Sequence, residues 1–196
     1  MLRSIVRQKK AVKKREYWKM KNVHVPPFIN FSITSKCNLN CMGCYAQLLP
    51  RRTDAEISTS KFRNIIVQAI DLGVIIIFLA GGEPLMRKDI LAITNEYRNI
   101  IFPIFTNGLL LNDDLINKFE RQKNIILLLS MEGDRTETDS IRGKGIFDNI
   151  NMIAGRLKNR SILWGLSVTI TSQNFNYVFD ESFIRKFIRQ GCRVFI

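Results

Sequence analysis

Histidine, long hydrophobic runs and acidic residues are scarce in this chain of 196 residues. His24 is the only histidine, so a Ser/His/Asp hydrolase would have a single candidate base, which lies on a predicted linker. The longest apolar run, Val74 to Ala80, has seven residues, whereas a membrane-spanning helix needs about 20. The start of the chain is basic rather than apolar, which disfavours a secretory signal and predicts a cytoplasmic protein.

Basic residues are concentrated at the amino terminus. The chain has 30 Lys and Arg against 17 Asp and Glu, a net charge of +13, and residues 1–22 hold nine of these bases with one acid. An apolar stripe predicts a helix there, ended by Pro26 and Pro27. Three roles stay open for residues 1–22: a solvated helix packed on the protein, weak contact with an anionic membrane surface, and contact with RNA or another polyanion. The predicted organisation is a basic helix and linker over residues 1–27, followed by a core over residues 28–196.

Apolar strands alternate with helical segments after residue 27. The six predicted strands are Phe28–Thr34, Val74–Ala80, Ile100–Phe105, Ile125–Met131, Ile162–Thr171 and Cys192–Ile196. Successive βαβ units wind right-handed and give a parallel sheet, so we expect an α/β protein with a partial (β/α)6 TIM-like barrel. A complete eight-fold barrel takes about 250 residues. Because the chain ends on a strand, we expect the sequence to be truncated at strand six or completed by a partner.

Three of the four cysteines lie within eight residues, as Cys37-Asn-Leu-Asn-Cys41-Met-Gly-Cys44. A tight cluster without a signal peptide indicates a metal site in a reducing compartment rather than a disulfide framework. Three thiolates can hold three corners of an iron–sulfur cluster and leave one iron open. Two alternatives remain, namely a zinc site with Cys192 as the fourth ligand and three unconnected buried thiols.

Polar residues follow three of the predicted strands. Gly81-Gly82-Glu83-Pro84 comes after the second strand, Thr106-Asn107-Gly108 after the third and Ser130-Met131-Glu132-Gly133 ends the fourth. The carboxyl ends of the strands in a parallel α/β barrel form one rim, where active sites lie. The sequence therefore predicts a ligand site at this rim, with Glu83 as an acceptor for an ammonium or hydroxyl group.

The segment CNLNCMGCY, with GGEP about 37 residues further on, resembles the radical S-adenosylmethionine (radical SAM) enzyme family. The resemblance extends through Thr106–Gly108, Ser130–Gly133 and Asp139–Gly143 and covers residues 28–196. It implies a [4Fe–4S] cluster on Cys37, Cys41 and Cys44, whose fourth iron is chelated by S-adenosylmethionine (SAM). It also implies reductive cleavage of SAM to a 5′-deoxyadenosyl radical that removes a hydrogen atom from an unknown substrate, with an electron from a reductant such as ferredoxin or flavodoxin.

The resemblance further assigns residues around SAM. Gly81, Gly82 and Glu83 match the turn that receives the methionyl amino group, and Ser130 matches the position that contacts the ribose or carboxylate. Arg142 resembles the arginine that pairs with the SAM carboxylate. The other implied contacts, which line the rim or lie near the adenine, are Tyr45, Thr106, Asn107 and Thr169.

One alternative function remains from the sequence, a non-catalytic iron–sulfur electron-transfer or cluster-binding module. That module would use Cys192 as a fourth ligand and would not need the glycine turn. For Cys192 itself, which lies in the last predicted strand, a buried and inert thiol is the favoured interpretation.

Overall fold

A computed structural model describes residues 2–48 and 56–196 of the chain. Its centre is a six-stranded sheet in which the strands follow chain order and every neighbouring pair is parallel. The strands are β1 (Phe28–Thr34), β2 (Ile76–Gly81), β3 (Phe102–Thr106), β4 (Ile125–Met131), β5 (Trp164–Val168) and β6 (Val194–Phe195). The predicted α/β fold with six parallel strands is confirmed.

One helix precedes β1, and the other helices lie in the connections between the strands. They are α1 (Leu2–Met20), α2 (Tyr45–Leu48), α3 (Thr59–Leu72), α4 (Ile90–Glu96), α5 (Asp113–Arg121), α6 (Arg135–Arg142), α7 (Ile146–Asn159), α8 (Phe175–Val178) and α9 (Glu181–Arg189), with a 3-10 turn at Pro84–Met86. The bounds of β1 and β4 are those predicted, and the Ser58 side chain caps α3 by accepting a hydrogen bond from the Lys61 amide. The short helices α2 and α8 and the charged helix α6 were not predicted.

The core lies between the sheet and the helices. Ile77 and Leu79 of β2 and Leu127 and Leu129 of β4 are fully buried in one apolar cluster with residues of the helices. Alternate residues of a strand share a face, so these positions define the helix-covered side of the sheet. Because every neighbouring pair of strands is parallel, the carboxyl ends of all six strands lie at one rim.

The amino-terminal helix α1 packs on the end of α3. Lys14 Nζ donates to the Ile70 carbonyl at 3.0 Å, and Arg15 Nη1 donates to the Gly73 carbonyl at 2.6 Å. The last carbonyls of a helix have no partners within the helix, so cations are stabilising there. Gly73 has a φ of +99°, and a Cβ at this position would lie 2.7 Å from the Ala11 carbonyl oxygen. These contacts support the interpretation of α1 as a helix packed on the protein.

No helix within residues 2–48 and 56–196 combines the length and the apolar character that crossing a bilayer requires.

Candidate functional site

The glycine turn after β2 is joined to the chain that leads into the cysteines. The Gly82 amide donates to the Thr34 carbonyl and the Glu83 amide donates to the Lys36 carbonyl, each at 2.8 Å. A Cβ on Gly81, whose φ is +123°, would lie 2.2 Å from the Thr34 oxygen, and a Cβ on Gly82 would lie 2.1 Å from the Lys36 oxygen. The two glycines are therefore required for backbone contact between the turn and the start of the cysteine loop.

Glu83 lies inside the fold, with 1% of its surface exposed. Its Oε1 accepts a hydrogen bond from the Leu85 amide at 3.0 Å, and its Oε2 accepts one from the Asn107 amide at 2.8 Å. Burial raises the pKa of Glu83, and these backbone hydrogen bonds oppose the rise. The structure thus places the predicted acceptor where its carboxylate joins the turn after β2 to the end of β3.

Asn107 connects the end of β3 to the cysteine loop. Its Nδ2 donates to Oδ1 of Asn38 at 2.8 Å, and its own Oδ1 accepts from the Leu109 amide at 3.0 Å. The Asn107 side chain is buried, and Asn38 is the residue next to Cys37. A single amide side chain therefore links the rim to the residue that follows the first cysteine of the loop.

The three clustered cysteines are free thiols on this loop, with Cys37 exposed and Cys41 and Cys44 half-buried. The Cys44 amide donates to the Cys41 carbonyl at 3.3 Å, which forms a turn between these two residues. Burial raises the pKa of the Cys41 thiol, Arg142 opposes that rise, and the thiols of Cys44 and Cys37 add to it. The three sulfurs and the guanidinium therefore lie within one electrostatic environment.

The donor set fits a cluster with three protein ligands, because iron–sulfur clusters are held by cysteine thiolates. In the part of the chain that the structure describes, no three Cys, His, Asp or Glu side chains converge as a metal-binding group. Three thiols on one loop have the number and chemistry that a cubane with one open iron needs. They have to turn toward one another when such a cluster binds.

Arg142, at the end of α6, lies beside the cysteine loop and is paired with Glu132. Its Nε and Nη2 donate to Oε1 of Glu132 at 2.9 and 2.6 Å, and both side chains are largely buried. The carbonyl of the preceding residue, Ile141, accepts from the Met42 amide of the loop at 2.9 Å. The arginine predicted to bind a carboxylate is therefore held next to the predicted cluster ligands.

The other predicted site residues lie on the same rim. Thr106 is buried, and its Oγ1 accepts from the Gly108 amide at 3.1 Å. Ser130 is half-buried near the end of β4, Thr169 directly follows β5 and is exposed, and Tyr45 is the exposed first residue of α2. Contacts thus join Glu83, Asn107 and Arg142 to the cysteine loop, whereas Ser130, Thr169 and Tyr45 are placed there by their strand or loop positions.

Sequence reasoning missed Asn174, which joins the ends of β4 and β5. Its Nδ2 donates to the carbonyls of Glu132 and Thr169 at 2.7 and 2.8 Å, and its Oδ1 accepts from the Thr171 amide at 2.8 Å. Asparagine after a strand is a turn signal. No local pattern indicates a partner 42 residues away in the sequence.

Cys192 lies at the opposite end of the sheet from the cysteine loop. It precedes β6, whereas the loop follows the carboxyl end of β1, and all six strands are parallel. Its thiol is buried in the core and donates to the Val194 carbonyl at 3.2 Å. The prediction of a buried thiol is confirmed. The alternatives that use Cys192 as a fourth ligand, the zinc site and the electron-transfer module, are therefore not favoured.

A family profile described as the Radical SAM superfamily matches residues 31–180. This chain belongs to the radical SAM superfamily. Membership confirms the predicted family and its cofactors, a [4Fe–4S] cluster and SAM.

Relatives and solved structures agree with this assignment. Fe-coproporphyrin III synthase of Methanosarcina barkeri is 32% identical over 151 residues, which cover 76% of this chain and 38% of that protein. PqqA peptide cyclase of Rhizobium meliloti is 29% identical over 166 residues, which cover 80% of this chain and 43% of that protein. Streptococcus suis SuiB bound to S-adenosylmethionine superposes with a TM-score of 0.77 at 22% identity, over 95% of this chain and 44% of that chain, which confirms the partial-barrel fold. The radical SAM chain therefore spans less than half the length of these proteins.

Proposed function

We propose that this chain is the SAM-cleaving core of a radical SAM enzyme, with the core in residues 28–196 and a basic helix and linker in residues 1–27. The observation that carries the proposal is the direct bonding of the cysteine loop to the glycine turn and to Asn107. When bound, the cluster and SAM supply a 5′-deoxyadenosyl radical that can remove a hydrogen atom from a substrate. The protein supplies position, charge and exclusion of water.

Cys37, Cys41 and Cys44 would hold three irons of the cluster. The backbone of Gly81 and Gly82 would receive the methionyl amino group of SAM. Each oxygen of the Glu83 carboxylate accepts one amide hydrogen bond within the fold, so Glu83 would also hold the turn in position.

Arg142 would bind the SAM carboxylate. Glu132 accepts from Nε and Nη2 only, and within the described residues Nη1 has no hydrogen-bond acceptor. A guanidinium that is held along one edge keeps its other donors for a second carboxylate. Glu132 therefore both fixes the orientation of Arg142 and lowers the cost of burying its charge.

The rest of the rim would complete the SAM site. We propose that Ser130 contacts the ribose or the carboxylate and that Thr169 and Tyr45 lie near the adenine. The buried pair Thr106 and Asn107 would shape the rim through the hydrogen bonds described above. The substrate is an organic molecule with a removable hydrogen atom, and a cytoplasmic reductant such as ferredoxin or flavodoxin would supply the electron.

Anaerobic reconstitution tests this function. The chain is loaded with iron and sulfide, reduced and incubated with SAM, and iron content, the electron paramagnetic resonance (EPR) signal and 5′-deoxyadenosine are measured. We expect about four irons per chain and formation of 5′-deoxyadenosine. The matched control is Cys192→Ala, which removes a thiol far from the rim and should retain both. A chain that stays free of iron, or that holds a full cluster and leaves SAM intact, would contradict the proposal.

A further inference from the structure

Arg87 lies just beyond the glycine turn and is a buried arginine with every nitrogen of its guanidinium engaged. Its side chain is 8% exposed. Nε and Nη2 donate to the two carboxylate oxygens of Asp89, each at 2.8 Å, and Nη1 donates to the carbonyls of Ile33 at 3.1 Å and Ile57 at 2.9 Å. The guanidinium carbon lies 5.5 Å from the centre of the Phe62 ring. A buried charge is costly unless it is paired and hydrogen-bonded, so this site is built around the arginine.

The two carbonyls that Nη1 holds lie on either side of the cysteines. Ile33 is the second-last residue of β1, and Ile57 lies two residues before α3 begins. The connection between these points carries Cys37, Cys41 and Cys44. Nη1 of Arg87 is therefore hydrogen-bonded to the chain at both ends of the cysteine loop. These bonds restrict the conformations that the loop can adopt.

Further hydrogen bonds hold the same two chain segments near Arg87. Oδ2 of Asp89 accepts from Oγ1 of Thr59 at 2.5 Å, which fixes the first residue of α3. Oγ1 of Thr34 accepts from the Lys36 amide at 3.1 Å and donates to Glu56. The pKa of Asp89 is lowered to about 2, chiefly by its hydrogen bonds from Arg87, so this carboxylate is ionised at neutral pH.

We propose that Arg87 is a positioning residue for the cysteine loop, which it clasps at both ends so that the three thiols are presented to the glycine turn. Only the identity of the bound group rests on the proposed function. The clasp itself is a property of the protein without cofactors.

Hydrogen exchange of the full metal-free chain tests the clasp directly. Arg87→Met removes the donors while keeping a long side chain, and Arg63→Met is the matched control, because Arg63 is an exposed arginine with a two-bond pair to Glu96. We expect amide exchange across residues 35–48 to rise at least about tenfold in Arg87→Met relative to the amides of β4, and to stay unchanged in Arg63→Met. Unchanged exchange, or a rise of equal size in β4, would overturn the proposal.

Arg87→Lys serves as the second variant, since it keeps the charge but cannot form the forked pair and both carbonyl bonds at once. It should show the same localised increase at a smaller size. In the reconstituted chain, the change that SAM induces in the EPR signal of the reduced cluster should be diminished in Arg87→Met and partly restored in Arg87→Lys. An EPR response identical to the wild type in both variants would refute the positioning role. Absence of any cluster in the wild type would count against the proposed function alone, because hydrogen exchange of the metal-free chain would still test the positioning role of Arg87.

Discussion

Replacing Glu83 tests how the glycine turn is held to the rest of the rim. Its carboxylate is buried and accepts one hydrogen bond from the Leu85 amide and one from the Asn107 amide. Glu83→Gln keeps the shape and one acceptor oxygen but turns an NH2 group toward one of these donors. Glu83→Ala removes both acceptors.

The magnitudes follow from the number of amides left without an acceptor. A buried donor left without a partner costs about 1–3 kcal/mol, so we expect a loss of about 1–3 kcal/mol for Glu83→Gln and about 2–6 kcal/mol for Glu83→Ala. Relief from burying the charge offsets part of this cost, because burial raises the pKa of Glu83. Such losses are a large share of the stability of a domain, which is about 5–15 kcal/mol.

Urea unfolding of the metal-free chain measures the loss without any cofactor, as a fall in midpoint at constant slope. Glu96→Gln is the matched control, since Glu96 is an exposed glutamate paired with Arg63. Exposed pairs contribute little, so the control should change far less. If Glu83→Gln were no more destabilising than Glu96→Gln, the hydrogen bonds of the Glu83 carboxylate would not hold the glycine turn to the end of β3.

The pH dependence of stability is an independent test, because the direction of the change follows from the pKa of Glu83. The raised pKa of Glu83 means that the folded chain binds this proton more tightly than the unfolded chain does. The free energy of unfolding of the wild type should therefore rise, relative to Glu83→Gln, as the pH falls from neutral through the raised pKa toward the ordinary value of 4.5. If the difference in the free energy of unfolding between the wild type and Glu83→Gln narrowed over this pH range, Glu83 would not have a raised pKa in the folded chain.

Three further changes probe the rest of the site. Cys41→Ala should abolish the absorbance of the reconstituted cluster, and a full cluster in this variant would refute the ligand set. Gly82→Ala would place a Cβ 2.1 Å from the Lys36 oxygen and should strongly destabilise the chain, whereas Gly155→Ala, with no atom within 4 Å of the new Cβ, should stabilise helix α7 by about 0.5–1 kcal/mol in the same urea assay. Asn174→Ala removes three hydrogen bonds, one to Glu132 after β4 and two within the segment after β5, and should cost about 2–4 kcal/mol; a loss below about 0.5 kcal/mol would contradict its bridging role.

The central strands β2 to β5 were predictable because each is a largely apolar run with residues buried against the helices. β4, with the sequence IILLLSM, has the predicted bounds. Helix α6 was missed because its residues, RTETDSIR, carry no apolar stripe and only Thr138 is buried. The start of the helix could have been predicted from Asp134 and Glu137, because an acidic residue three positions after a capping residue is typical of a helix start. In the structure, the Asp134 side chain accepts a hydrogen bond from the Glu137 amide at 2.9 Å.

The rim was predictable from the positions of polar residues, whereas the use of each side chain was not. The motif around Glu83 predicts a contact with a ligand, but the amide that this carboxylate binds belongs to Asn107, 24 residues further along the chain. Arg87 was not singled out for the same reason, because its carbonyl partners are 54 and 30 residues away. Pairings of this kind depend on how the strands are arranged rather than on local sequence.

The order of the strands explains why the cysteine loop has a defined place. The loop leaves β1, and it is tethered to the turn after β2 through Gly82 and Glu83, to the end of β3 through Asn107, and to the helix after β4 through Ile141. Because the sheet runs in chain order, these tethers come from successive neighbours and lie along one rim in one direction. A loop held only at its own ends could lie on either side of β1. Tethers from three further strand ends draw it across the rim and bring it beside Arg142, so that Cys37, Cys41 and Cys44 would hold a cluster on the rim that carries the proposed SAM contacts.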